Sequence, residues 1–181
     1  MSEQGATVEK LKLAFALLLT LRGTPQPYSG DEIGMRDGDD PDNRRDFPGG
    51  FIADGDSPNR NAFTAEGRTS EEAEIHDYVQ RMLALRRQHP ALRHGKQANL
   101  FIDRDVYVFV QLTAGSSTDR LLVAANNADE PHRVEVDLQD TSIAEAHRLS
   151  PIFGNMQNVE FEPHHATFSM EGRSLCIFQV E

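Results

Sequence analysis

From Lys96 to the C-terminus the sequence breaks into short apolar runs separated by turn residues, and this pattern constrains the fold more than any other feature. Eight runs can be placed, at 97–102, 105–113, 119–127, 132–138, 147–152, 158–162, 166–170 and 174–180. Val106, Val108 and Val110 alternate with Tyr107, Phe109 and Gln111, so both faces of that strand carry apolar side chains. The run from Leu121 to Ala125 is continuously apolar and reads as a central strand. Closely spaced short strands with turn signals between them predict an antiparallel β-sandwich of about eight strands. Asp103-Arg104 reads as a two-residue hairpin connection, and 141–146 as one helical turn between strands.

Upstream of residue 95 the period changes to that of helices. Leu11, Ala14, Phe15, Leu18 and Leu19 recur at helical spacing behind a capping Thr7. Leu13, Ala16, Leu17 and Leu21 extend the apolar surface around most of the girth, so this helix demands burial on more than one side. A second helix runs over 69–88. It opens with the capping box Thr69-Ser-Glu-Glu72, closes with Arg86 and Arg87, and buries Ile75, Tyr78, Val79, Met82 and Leu85. Pro90 ends it. Between the helices, 24–28 is extended but interrupted by Pro25 and Pro27, which a hydrogen-bonded sheet does not accommodate in its interior. Residues 29–67 form a long loop rich in Gly, Pro, Asp and Arg. A loop of that length is either a ligand-facing excursion or a segment without fixed structure.

The loop carries a resemblance. Gly23-Thr24-Pro25, Tyr28, Gly30 and Glu32-Ile33-Gly34-Met35 resemble the end of the last barrel strand in the α-amylase family of glycoside hydrolases. Asp40-Pro41-Asp42-Asn43-Arg44, Asp46-Phe47-Pro48-Gly49-Gly50 and Asn61-Ala62-Phe63-Thr64 narrow it to the neopullulanase and cyclomaltodextrinase branch, glycoside hydrolase family 13. The resemblance runs from about Thr7 to Val180, onto the C-terminal third of such an enzyme. It implies an α+β fragment: the remnant of the last β/α unit of a TIM barrel over 1–94, then an antiparallel β domain over 95–181. It further implies that the catalytic carboxylates lie upstream, so the chain alone is expected to be inactive. The substrate of the whole enzyme would be an α-glucan or maltooligosaccharide. Partners of the helix from Leu11 to Leu21, in the barrel, are expected to be missing. That helix is therefore a candidate docking face, for the missing barrel or for a second copy. A non-catalytic carbohydrate-binding or assembly module is the alternative reading.

The resemblance assigns one pair of site residues. Asp40 and Arg44 match the Asp-Pro-x-x-Arg motif that lines a donor-side sugar subsite, where a carboxylate accepts from hydroxyls and a guanidinium offers a fork of donors. In an intact enzyme this reading is favoured; in this chain alone a loop salt bridge is favoured. Asp31-Glu32 is no catalytic pair, because glycoside hydrolysis needs two carboxylates facing each other across the bond, and neighbours on a strand point apart. The acidic run 37–42 lacks calcium-loop spacing and reads as a solvated turn. The seven histidines form no metal site at helical spacing, and no phosphate loop or dinucleotide fingerprint occurs, so neither metal nor cofactor is expected. Cys176 lies in an apolar strand, as a buried inert thiol would. A net charge of -11, without basic clusters, disfavours nucleic acid and anionic membranes. The first residues lack the basic start of a signal peptide, so the chain as written is expected in the cytoplasm.

Overall fold

The computed structural model describes residues 5–36, 38, 45–49, 60–115 and 119–181. Helix α1 (Val8–Thr20) is capped by the Thr7 side chain, which accepts from the Lys10 amide at 3.3 Å. Helix α2 (Ser70–Gln88) opens with the anticipated reciprocal box: the Glu72 amide donates to Thr69 Oγ1 at 3.2 Å, and the Thr69 amide donates to Glu72 Oε2 at 2.8 Å. His89 closes α2, and Pro90 instead caps a short helix α3 (Ala91–His94). No strand forms over 24–28.

Eight strands follow: β1 (Lys96–Ile102), β2 (Val106–Leu112), β3 (Arg120–Asn126), β4 (His132–Asp137), β5 (Leu149–Phe153), β6 (Met156–Glu162), β7 (His165–Met170) and β8 (Ser174–Val180). They build a five-stranded sheet in the order β1-β2-β3-β8-β5 and a three-stranded sheet in the order β4-β7-β6. All pairings are antiparallel. The fold is thus the expected eight-stranded antiparallel arrangement behind a few helices.

Period 2 along the strands explains how the layers stack. Val108, Val110, Leu122, Ala124, Cys176 and Phe178 point from the large sheet toward Val134, Val136, Phe168 and Met170 of the small one. The alternate residues, Phe109, Leu121, Val123, Ala125, Leu175 and Ile177, point the other way and pack on α1, α2 and α3. The large sheet is therefore buried on both faces, which is why β2, β3 and β8 read as almost continuous apolar runs.

Three expectations need correction. The first helix does not lack partners on every side: Leu13, Phe15, Ala16 and Leu19 are buried against α2, α3 and the large sheet of this same chain. Among the described residues an apolar flank stays uncovered, where Leu18 is 37% exposed and Ala14 lies open. The doubly apolar sheet needed a cover, and the helix supplies it. The β1–β2 connection spans 103–105 rather than two residues, because the Asp103 carboxylate accepts from the amides of Asp105 at 2.8 Å and Val106 at 2.6 Å and so builds a wider turn. Residues 141–146 form consecutive tight turns, not a helical one; the Ala144 and Ala146 amides donate three residues back, at 3.2 and 2.9 Å. They plug one end of the sandwich with buried Ile143 and Ala146.

Candidate functional site

The loop after α1 begins with a single 3-10 turn, Asp31–Ile33, anchored by the buried side chain of Ile33. The two adjacent carboxylates serve this turn. The Tyr28 amide donates to Asp31 Oδ2 at 3.1 Å, and the Gly30 amide donates to Glu32 Oε2 at 2.8 Å. Both acids act on local backbone, as anticipated; the reason is the turn rather than alternation along a strand.

Beyond the turn the chain is pinned to the first turn of α2. Arg36 Nη2 donates to Glu71 Oε1 at 2.9 Å, and Arg60 pairs with Glu72 while its Nε donates to the Gly67 carbonyl at 3.3 Å. Arg68 gathers the returning segment. Its Nε donates to the Ala62 carbonyl at 2.9 Å, its Nη2 to the Phe63 carbonyl at 3.2 Å, and its Nη1 lies 3.1 Å from His76 Nδ1. The Ala62 amide donates to the Pro48 carbonyl at 3.0 Å, and the Phe47 and Phe63 rings stack with centroids 4.4 Å apart. Gly67 is required here by close approach: a Cβ would stand 1.8 Å from the Asn61 carbonyl oxygen.

These contacts enclose a cleft of about 520 Å³, bordered by Met35, Arg36, Arg45, Asp46, Arg60 and the start of α2. Its charge is largely self-compensated. Burial pushes the Glu72 carboxyl up, but hydrogen bonds from Arg60 and from the Thr69 backbone outweigh it and hold the group below its usual range. That is the opposite of what a general acid requires, since a proton donor at neutral pH needs a raised value. Asp40 and Arg44 lie outside the described residues, as does nearly all of the acidic run over 37–42. Among the described residues no three His, Cys, Asp or Glu groups come together as a metal site.

Two features were hidden from sequence reasoning. Arg60 and Arg68 sit in an unpatterned loop, and only the folded chain brings them to α2 and to the carbonyls they bind. Arg86 left a signal: it occurs four residues after Met82 and seven after Val79, on the apolar face, where a charge is out of place. It is 8% exposed and donates to the carbonyls of Leu19 at 2.7 Å and Gly23 at 3.0 Å, and also to that of Leu92. It ties the end of α1 and the entry to the loop onto α2 and α3.

No protein-family model matches the chain. It is 33% identical over 124 residues to a cyclomaltodextrinase from Geobacillus thermopakistaniensis, a match covering 68% of this chain and 18% of that protein. It is 28% identical over 137 residues to an amylopullulanase from Thermoanaerobacter thermohydrosulfuricus, covering 72% of this chain and 8% of the relative. Among solved structures it resembles a debranching enzyme from Nostoc punctiforme, with a TM-score of 0.72 and 25% identity, over 97% of this chain and 32% of that one. An Anoxybacillus α-amylase shares the fold, with a TM-score of 0.72 at 23% identity. The chain thus spans less than a fifth of the length of the two curated relatives and about a third of the debranching enzyme.

Proposed function

We propose that this chain, which matches the C-terminal part of α-amylase-family (glycoside hydrolase family 13) enzymes in sequence and in fold, serves an α-glucan-cleaving enzyme of the cyclomaltodextrinase and neopullulanase type as wall and closing domain. The observation that carries this reading is the coverage: the fold match takes in 97% of this chain but 32% of its structural neighbour. On this reading residues 1–94 are the end of a barrel and 95–181 the β domain that follows it. The reactive carboxylates come from elsewhere, and Asp40 and Arg44 hydrogen-bond a glucose unit of the bound chain. Two of the acids that border the cleft, Glu71 and Glu72, are committed to Arg36 and Arg60. The uncovered flank of α1 at Leu18, together with Tyr28 at 68% and Leu83 at 50% exposure, is where the rest of the barrel packs.

The test has two arms. Purified chain incubated with maltoheptaose and β-cyclodextrin is expected to release no product; turnover abolished by substituting a residue of this chain overturns the assignment of the chemistry to other residues. The DNA preceding the Met1 codon, or a neighbouring gene, is expected to encode the barrel with its acids; the absence of both counts against the proposed role as wall and closing domain of a whole enzyme. The same exposed flank supports a second reading, an assembly module that pairs with another copy. Light scattering separates the two, since a strict monomer with ordered α1 eliminates the second.

A further inference from the structure

A second concavity lies away from the cleft, where the first turn of α1 and the middle of α2 meet the β5–β6 and β7–β8 turns. It encloses about 640 Å³. One wall is aromatic: Tyr78 and Phe153 meet edge to face, with centroids 5.4 Å apart and planes at 71°. The Arg81 guanidinium carbon stands 5.9 Å from the centroid of each ring, so the two rings aim it. Arg81 has no carboxylate partner among the described residues, and the Tyr78 hydroxyl and the Asn155 amide have no hydrogen-bond partner there. Burial pushes the Tyr78 phenol up to about 12, so its proton stays available for donation at neutral pH.

Of the other charges at the rim, Lys12 pairs with Glu74, Arg173 pairs with Asp129 and Glu171 accepts from Gln157, while the Glu9 carboxyl is held below its usual range by a backbone hydrogen bond and by Thr7. Free donors and acceptors beside an apolar wall, with little net charge, suit a neutral ligand that has many hydroxyls and an apolar ring face. A net charge of -11 on the whole chain argues against a polyanion. The rim is also pre-set, which lowers the ordering cost of binding. Gly154 has φ +88°, a Cβ there would stand 2.3 Å from the Leu175 carbonyl oxygen, and Cys176 Sγ donates to the Asn155 carbonyl at 3.3 Å.

The groove faces away from the flank left for the rest of a barrel. At about 100° per residue, Glu9 on its rim is roughly 180° around α1 from Leu18, and Tyr78 is roughly 140° around α2 from Leu83. We infer that this groove is a secondary binding site for a neutral oligosaccharide, with Arg81, Asn155 and the Tyr78 hydroxyl as its hydrogen-bonding groups. The choice of an α-1,4-glucan as occupant rests on the family reading above.

Amide NMR of the full chain during titration with maltoheptaose to about 10 mM tests this. Shifts are expected at Tyr78, Arg81 and Phe153 through Asn155. The Arg81→Ala/Asn155→Ala variant should bind about tenfold more weakly, and Tyr78→Phe, which keeps the ring, about threefold to fivefold more weakly, both with unchanged thermal midpoints. Shifts confined to 36–49 and lost in Asp40→Ala overturn the groove and leave the family reading standing. Shifts in the groove with cellohexaose but not maltoheptaose keep the groove and overturn the α-glucan choice. No shift with either sugar, or stronger binding of glucose 6-phosphate than of maltoheptaose, overturns the inference.

Discussion

At the scale of single residues, stability rests on a few polar side chains that join segments distant in sequence. Arg86 is the clearest. Its guanidinium satisfies carbonyls of Leu19, Gly23 and Leu92, and no carboxylate is paired with it among the described residues. Arg86→Ala leaves those acceptors without a donor and opens a cavity, so urea unfolding should show a loss of about 2–4 kcal/mol. Asp119 does the same work for the β2–β3 connection. It accepts from the Ala91 amide at 2.7 Å and from Thr113 Oγ1 at 2.8 Å, and lies 3.1 Å from His89 Nδ1. Burial pushes its carboxyl up, but these hydrogen bonds outweigh it and hold it below the usual 3.8. A group whose folded value is depressed stabilises above its unfolded value and loses that contribution as pH falls through the folded one. Asp119→Asn should therefore cost about 1–2 kcal/mol at pH 7, and the gap to the parent protein should shrink below about pH 4. Urea titrations at both pH values check this, and a gap that widens on acidification contradicts it.

At the scale of elements, the large sheet is the load shared by two layers. Leu121 and Leu122 are neighbours on β3, both fully buried, yet one faces the helices and the other the small sheet. Leu121→Ala and Leu122→Ala should each cost about 2–5 kcal/mol in chemical denaturation. A sheet solvated on one face would show only one such loss. Strand edges are blunted by local devices: bulges interrupt pairing in β1 and β6, and β5 carries Pro151 beside a third irregularity. Existence of the strands and their succession along the chain were legible from the sequence, because alternation and turn residues are local signals; their order within the sheets, β1-β2-β3-β8-β5 and β4-β7-β6, was not. Turn geometry was less so, since the Asp103 side chain replaced the tight hairpin with its own hydrogen bonds.

At the scale of the whole molecule, the helices and the β strands share one apolar cluster, in which α1, α2 and α3 cover the sheet. The proposed division at residue 95 follows the resemblance to a longer enzyme: the cluster between the two sheets lies wholly beyond it, whereas the cluster under the helices spans it. A chain cut to 95–181 would bare Phe109, Leu121, Val123, Leu175 and Ile177 together, a contiguous apolar face of the kind that drives association. It should precipitate or self-associate in light scattering, whereas the full chain should not lose its folded signal at the same concentration. A soluble, cooperative monomer of 95–181 contradicts this.

Sequence alone determined the two helices, the capping of each, the eight strands and the family of the chain. Each of these is written in spacing, period or contiguous motif, which act over a few residues. The tertiary structure alone decided that α1 finds most of its cover within this chain, and that Arg60, Arg68 and Arg86 hold the loop and helix ends. It alone brought Tyr78, Arg81, Phe153 and Asn155 to one groove. Those contacts join residues tens of positions apart, and neither period nor propensity encodes which pairs meet; packing of two apolar faces against one another does.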